Sequence, residues 1–85
     1  MEPEQLQSQI RDLIAEIIEV DPAKIEPGAH LVQDLGADSM NALEIMASLE
    51  RKFGIVIQPG SLPDLVSLER TTRLVSALIA SRGPA

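Results

Sequence analysis

The chain of 85 residues has no Cys, Trp or Tyr, a single Phe and a single His. Without cysteine there can be no disulfide, no thiolate metal site and no thiol nucleophile belonging to the chain itself. No apolar run approaches the ~18 residues that a membrane span requires. The first residues, Met1-Glu2-Pro3-Glu4, are acidic, which is wrong for a secretory signal. A cytoplasmic protein is therefore expected. Basic residues are scarce in the first 50 positions, where only Arg11 and Lys24 stand against eleven acids. Beyond residue 50 the balance reverses, with Arg51, Lys52, Arg70, Arg73 and Arg82 against Asp64 and Glu69. The net charge of −6 argues against nucleic acid, whose binding depends on neutralising phosphates. It favours a monomer that meets partners with basic surfaces, or an acidic surface kept for solubility alone.

What is present is ordinary globular material, 45% hydrophobic and 24% charged. The length suits one domain over residues 1–85 and leaves little room for the deep pocket of a stand-alone enzyme. Leu6, Ile10, Leu13, Ile14 and Ile17 recur at the helical period and predict a helix over about residues 4–19, closed by Asp21-Pro22. Residues 20–38 read as a long connection tacked to the core by Ile25, Leu31 and Leu35. A second helix is expected from Asp38-Ser39 to Phe53, with Asp38 as N-cap and Gly54 in the stop position. Its core stripe is Ala42, Ile45, Met46, Leu49 and Phe53. Met40 and Ala47 lie on roughly the opposite face, Leu43 at the margin, with Glu44, Glu50 and Arg51 around them. Such a charge-ringed apolar spot suits a partner contact as well as it suits scattered surface hydrophobes.

Ile55-Val56-Ile57 has no second strand to pair with and reads as an extended segment plugged into the core. Residues 59–65 allow at most a short helical turn. Ser67 then caps a last helix to about Ala80, with Leu68, Thr72, Val75 and Ile79 inward, before Arg82-Gly83-Pro84. The fold class is all-α: three main helices plus a short one around an aliphatic core, with a long first loop.

The informative stretch is Asp34-Leu35-Gly36-Ala37-Asp38-Ser39-Met40. A serine one residue into a helix, beside the capping acid, presents its hydroxyl at the positive end of the helix dipole, where free amides favour a phosphate. Asp38 opposes such a phosphate electrostatically and suits a cap or a recognition element better than a phosphate partner. A bare Asp-Ser is most often just a helix start.

The longer string is more specific. Val20-Asp21-Pro22, Ile25, Pro27, Leu31, the Asp34–Met40 stretch, Leu43-Glu44, Leu49-Glu50 and Phe53-Gly54-Ile55 resemble the acyl carrier protein family along essentially the whole chain. The resemblance implies a four-helix carrier whose Ser39 is modified by a phosphopantetheinyl transferase. The 4′-phosphopantetheine arm would then hold acyl groups as thioesters on its terminal thiol, which suits a chain with no cysteine of its own. It also implies that the second helix is the recognition surface, with Asp38, Glu44 and Glu50 as docking acids and Met40 and Ala47 as apolar contacts. Leu43 and Met46 become candidates to line an acyl cavity, and partners include acyl-transferring or ketosynthase-type enzymes with basic docking surfaces.

Three features depart from the fatty-acid carriers: Asn41 where an acid is common, Arg51-Lys52 in place of a second acidic cluster, and the basic last third. They favour a carrier dedicated to a specialised lipid or polyketide pathway over general fatty-acid synthesis. An amino acid or a malonyl unit is an alternative cargo within carriers. A hydrolytic set of Ser39, His30 and Asp34 or Asp38 lacks the Gly-x-Ser-x-Gly spacing and a preceding strand, and His30 reads as a solvated loop residue. No ligand spacing specifies a metal site. A docking module of the same fold with Ser39 unmodified is the remaining alternative.

Overall fold

The computed structural model describes residues 2–81 and is all-helical among them, with three α-helices, α1 (Pro3–Ile18), α2 (Ser39–Phe53) and α3 (Leu68–Ser81). A 3-10 helix at Pro59–Val66 is the fourth, and a single 3-10 turn occupies Pro22–Lys24. Arg82-Gly83-Pro84, expected to end the last helix, lie outside the described residues. The central helix is α1, which packs against both α2 and α3, while the 3-10 helix bridges α2 and α3. Leu6, Ile10 and Ile14 of α1, Ile45, Leu49 and Phe53 of α2, and Leu68 and Val75 of α3 form one buried aliphatic cluster. Burial of each such side chain contributes about 1.5–3 kcal/mol, so the cluster dominates the stability of so small a protein.

Each helix begins where its sequence supplies the missing partners. Pro3 at the start of α1 has no N–H to leave unsatisfied, and Glu4 meets the positive end of the dipole. Ser67 caps α3, its Oγ accepting from the Arg70 N–H at 3.1 Å. Helix α2 stops at Gly54, whose φ of 63° is left-handed and suits glycine. Helix α1 stops differently: Glu19 takes the left-handed conformation, φ 57°, and donates its N–H to the Ala15 carbonyl. The helix therefore ends one residue before the expected boundary, by local backbone geometry rather than at Asp21-Pro22. In α3, Thr71 and not Thr72 faces the core beside Leu68 and Val75. Two adjacent threonines differ by about 100° in helical phase, and the burial selects the first.

The connections are tighter than the sequence suggests. Asp21 accepts from the Ala23 N–H at 2.9 Å and caps the turn that follows. Ile25 and Leu31 are buried and Leu35 is half-buried, as expected, and Ala37 joins them. Two backbone bonds tie this loop to the far side of the molecule: Leu31 N–H to the Val66 carbonyl at 2.8 Å, and Glu69 N–H to the Pro27 carbonyl at 2.9 Å. Beyond α2, Ile55 and Ile57 are buried and Val56 is 70% exposed, the alternation of an extended segment plugged into the core. The 3-10 helix at Pro59–Val66 is longer than the short turn expected there.

A left-handed glutamate costs about 1 kcal/mol relative to glycine. Glu19→Gly is therefore expected to raise stability by roughly 0.5–1 kcal/mol, read as a higher urea midpoint with an unchanged slope.

Candidate functional site

The site is built at the N-terminus of α2. Asp38, extended at φ −120° and ψ −178°, is the N-cap. Its Oδ1 accepts from the Asn41 N–H at 2.8 Å, while Asn41 Oδ1 accepts from the Asp38 N–H at 3.1 Å. This reciprocal pair is a capping box. It gives Asn41 a local role that accounts for an amide at that position: an amide oxygen accepts without adding a second negative charge beside Asp38. Ser39 is then the first helical residue and is exposed. The amides of the first turn have no carbonyl one turn back, so its hydroxyl stands in a field that favours an anionic substituent.

The preceding segment fixes where that hydroxyl stands. Gly36 takes φ +77°, a turn that an L side chain rarely adopts, and a Cβ built there would meet nothing within 4 Å. Glycine is needed for the backbone angle and not for space. Before it, residues 31–35 form a hydrogen-bonded turn with bonds from Asp34 N–H to the His30 carbonyl (2.8 Å) and from Gly36 N–H to the Val32 carbonyl (3.1 Å). His30 caps this turn. Its Nδ1 accepts from the N–H groups of Val32 (3.2 Å) and Gln33 (3.1 Å), and its own N–H donates to Asp34 Oδ2 at 2.8 Å. His30 is thus a half-buried structural acceptor, which corrects its reading as a solvated loop residue. Asp34 is engaged with the His30 backbone. The hydrolytic set of Ser39, His30 and Asp34 gains no hydrogen bond to the serine from this arrangement.

Down α2 from Ser39, an outward stripe follows the helical period: Met40, Leu43, Glu44, Ala47 and Arg51 are all exposed, Met40 at 72%. Leu43 belongs to this stripe at 47% exposure, whereas Met46 turns inward and packs against the core. The structure therefore separates the two residues expected to share a cavity lining. Glu44 also borders an open groove between α1 and α2, with Glu16 and Glu19 across it. Glu50 is set apart: it is half-buried and its Oε2 accepts from the Ile57 N–H at 2.8 Å, holding the extended segment to the helix. One of its oxygens is engaged in structure and not presented to a partner.

The basic residues are largely answered locally. Arg51 and Lys52 occupy the last turn of α2, where the dipole favours cations. Lys52 Nζ stands 6.0 Å from the Phe53 ring centroid. Arg70 pairs with Asp64 at 2.8 Å and Arg73 with Glu69 at 3.3 Å. The first turns of α2 therefore keep acidic and apolar groups outward, and the positive charge gathers elsewhere. Among the described residues no cluster of three or more His, Cys, Asp or Glu is placed to hold a metal ion, and no helix is long and apolar enough to cross a membrane.

Ser39 thus stands exposed at the first position of a capped helix, behind an acidic glycine turn, where the free first-turn amides favour an anion. The phosphopantetheine attachment site model matches residues 8–75. The polyketide-8 synthase acyl carrier protein 2 of Streptomyces avermitilis is 33% identical over 69 residues, 81% of this chain and 79% of its own. An acyl carrier protein of Campylobacter concisus is 32% identical over 69 residues, covering 81% and 90%. Among solved structures, a chain described under "The ishigamide ketosynthase/chain length factor" superposes with a TM-score of 0.74 at 35% identity, covering 93% of this chain and 99% of that one. The chain belongs to the acyl carrier protein family, whose cofactor is 4′-phosphopantetheine.

The His30 cap lies on the segment that leads to Ser39, so its removal tests how far that segment depends on it. His30→Ala is expected to cost about 1 kcal/mol, and His30→Ser, a competent cap, to recover most of it. Thermal melts of the two variants beside the wild type decide this.

Proposed function

We propose that this chain carries acyl intermediates on a 4′-phosphopantetheine arm attached at Ser39 and delivers them to partner enzymes of a specialised, polyketide-type synthesis. The observation that carries the reading is the placement of Ser39, exposed at the first position of α2 within the stretch matched by the attachment-site model. The residues there fit the group. Ser39 is exposed and supplies the oxygen, and the first-turn amides favour the phosphodiester. Asp38 holds the helix end that presents the serine. When bound, the group supplies the thiol that the cysteine-free chain lacks.

The polyketide direction rests on the likeness to the polyketide-8 synthase acyl carrier protein 2 of Streptomyces avermitilis and on the three departures from fatty-acid carriers in the sequence, while the likeness to the ishigamide ketosynthase/chain length factor structure supports ketosynthase-type partners. A general fatty-acid or specialised-lipid role is the alternative within carriers. Partners are a phosphopantetheinyl transferase and ketosynthase-type or acyl-transferring enzymes with basic docking surfaces. They read the outward stripe of Met40, Leu43, Glu44 and Ala47, with Asp38 at its upper end and Glu50 contributing only from its edge. The protein acts as a single carrier domain, monomeric and cytoplasmic, and performs no catalysis itself.

Incubation with coenzyme A and a permissive transferase is expected to add one phosphopantetheine by intact mass to the wild type and none to Ser39→Ala. Because the cap is Asp38, that variant should melt within about 1–2 °C of the wild type. Modification surviving in Ser39→Ala, or absent from the wild type with several transferases, overturns the reading and leaves a docking module. Glu44→Lys is expected to weaken transferase binding by roughly 5-fold or more at low salt, where surface charge acts most strongly, with little change in Tm. Unchanged binding removes Glu44 from the contact.

A further inference from the structure

Thr71 is fully buried in α3, yet its Oγ1 has no hydrogen-bond partner among the described residues. Buried hydroxyls almost always find one, because an unmade hydrogen bond away from water is destabilising. Thr72, the next residue, shows the ordinary solution: its Oγ1 donates to the Leu68 carbonyl one turn back at 2.8 Å. Thr71 does not use the equivalent Ser67 carbonyl, which accepts from the Thr71 backbone N–H at 2.9 Å. A valine would fill nearly the same space without leaving a polar atom stranded. The hydroxyl is therefore a cost to the empty fold.

Its place in the fold gives that cost a use. Leu31 donates its N–H to the Val66 carbonyl at 2.8 Å, and its carbonyl accepts from the Ala37 N–H at 2.9 Å. Ala37 lies two residues before Ser39, and Val66 lies two before the start of α3. One residue thus pins the Ser39 end of α2 to the end of α3 that carries Thr71. Their backbones approach each other at most marginally: α1 packs on both and the 3-10 helix bridges them. The buried cluster to which Leu68 and Val75, the core neighbours of Thr71 on α3, belong is aliphatic, and flexible side chains such as Met46 at its edge can part for an acyl chain at little polar cost.

We propose that Thr71 Oγ1 is a hydrogen-bonding site for an oxygen of the carried acyl chain, so that this interior favours hydroxy- or oxo-substituted cargo over saturated cargo. A hydroxyl both donates and accepts, so either oxygen is recognised, whereas a saturated chain leaves the group as stranded as the empty fold does. The inference rests on the carrier reading of Ser39 and names the cargo class for it.

The test loads wild type, Thr71→Val and Thr71→Ser with octanoyl- or 3-hydroxyoctanoyl-phosphopantetheine, with loading confirmed by intact mass. In the wild type and in Thr71→Ser, the hydroxyacyl form should melt about 4 °C or more above the octanoyl form, the worth of one added hydrogen bond in a domain this size. In Thr71→Val the two loaded forms should melt together, and the unloaded variant should be at least as stable as the unloaded wild type. Equal melting of the two loaded wild-type forms, or a difference that persists in Thr71→Val, overturns the proposal and leaves the carrier reading intact. Failure of the wild type to load overturns both.

Discussion

The backbone of Leu31 is the hinge pin of this architecture. Its side chain is buried, its N–H reaches across to Val66 and its carbonyl receives Ala37. A loop of some twenty residues in a domain of this size would otherwise sample many arrangements, and ordering each residue costs about 1–2 kcal/mol. Burial of Ile25, Leu31 and Ala37 offsets part of that cost, and the two bonds at Leu31 set which arrangement survives. The entry into α2, and with it the position of Ser39, depends on that choice. So does the relation between the site and the interior behind it.

Charge is distributed to the same end. Asp38 and Asn41 close the first turn of α2, while Arg51 and Lys52 complement its last turn. The arginines of α3 are neutralised by Asp64 and Glu69 close to them in sequence. Exposed ion pairs of this kind add little stability, on the order of 0–1 kcal/mol. Their larger effect is on the field, because they keep positive charge from spreading towards the acidic stripe that begins beside Ser39.

The helices were legible in the sequence because their faces repeat at 3.6 residues and their ends carry Asp38, Gly54 and Ser67, each of which acts as expected. The position of Ser39 at the start of α2 was legible for the same reason, because the residues around it are those that start a helix, whereas the attachment role proposed for it comes from the resemblance to the carrier family. What was not legible has physical causes. Thr71 and Thr72 are equivalent by residue type, and only packing decides which is inward. His30 caps a turn through a ring nitrogen, a role that spacing statistics assign to short oxygen-bearing side chains. Asn41 is readable in principle as the fourth residue of a capping box that begins at Asp38, although the absence of an acid there is its more conspicuous feature. Leu43 sits at the margin of its helix face, where hydrophobicity alone cannot say whether it turns in or out, and it turns out. The 3-10 helix at Pro59–Val66 has no periodic signature, and its two prolines and glycine resemble a loop.

Helix α2 is closed at both ends, by the box at Asp38 and by the left-handed Gly54, so its fifteen residues behave as one rigid rod. The attachment point and the outward stripe are two marks on that rod, separated by a fixed rise of about 1.5 Å and a fixed turn of about 100° per residue. An enzyme that grips the rod anywhere along the stripe also learns the direction in which Ser39 points. One residue added between Ser39 and Ala47 would leave every group chemically intact and swing the grip about a quarter turn away from the tether. The information the helix holds is its phase, and the caps are what keep that phase from drifting.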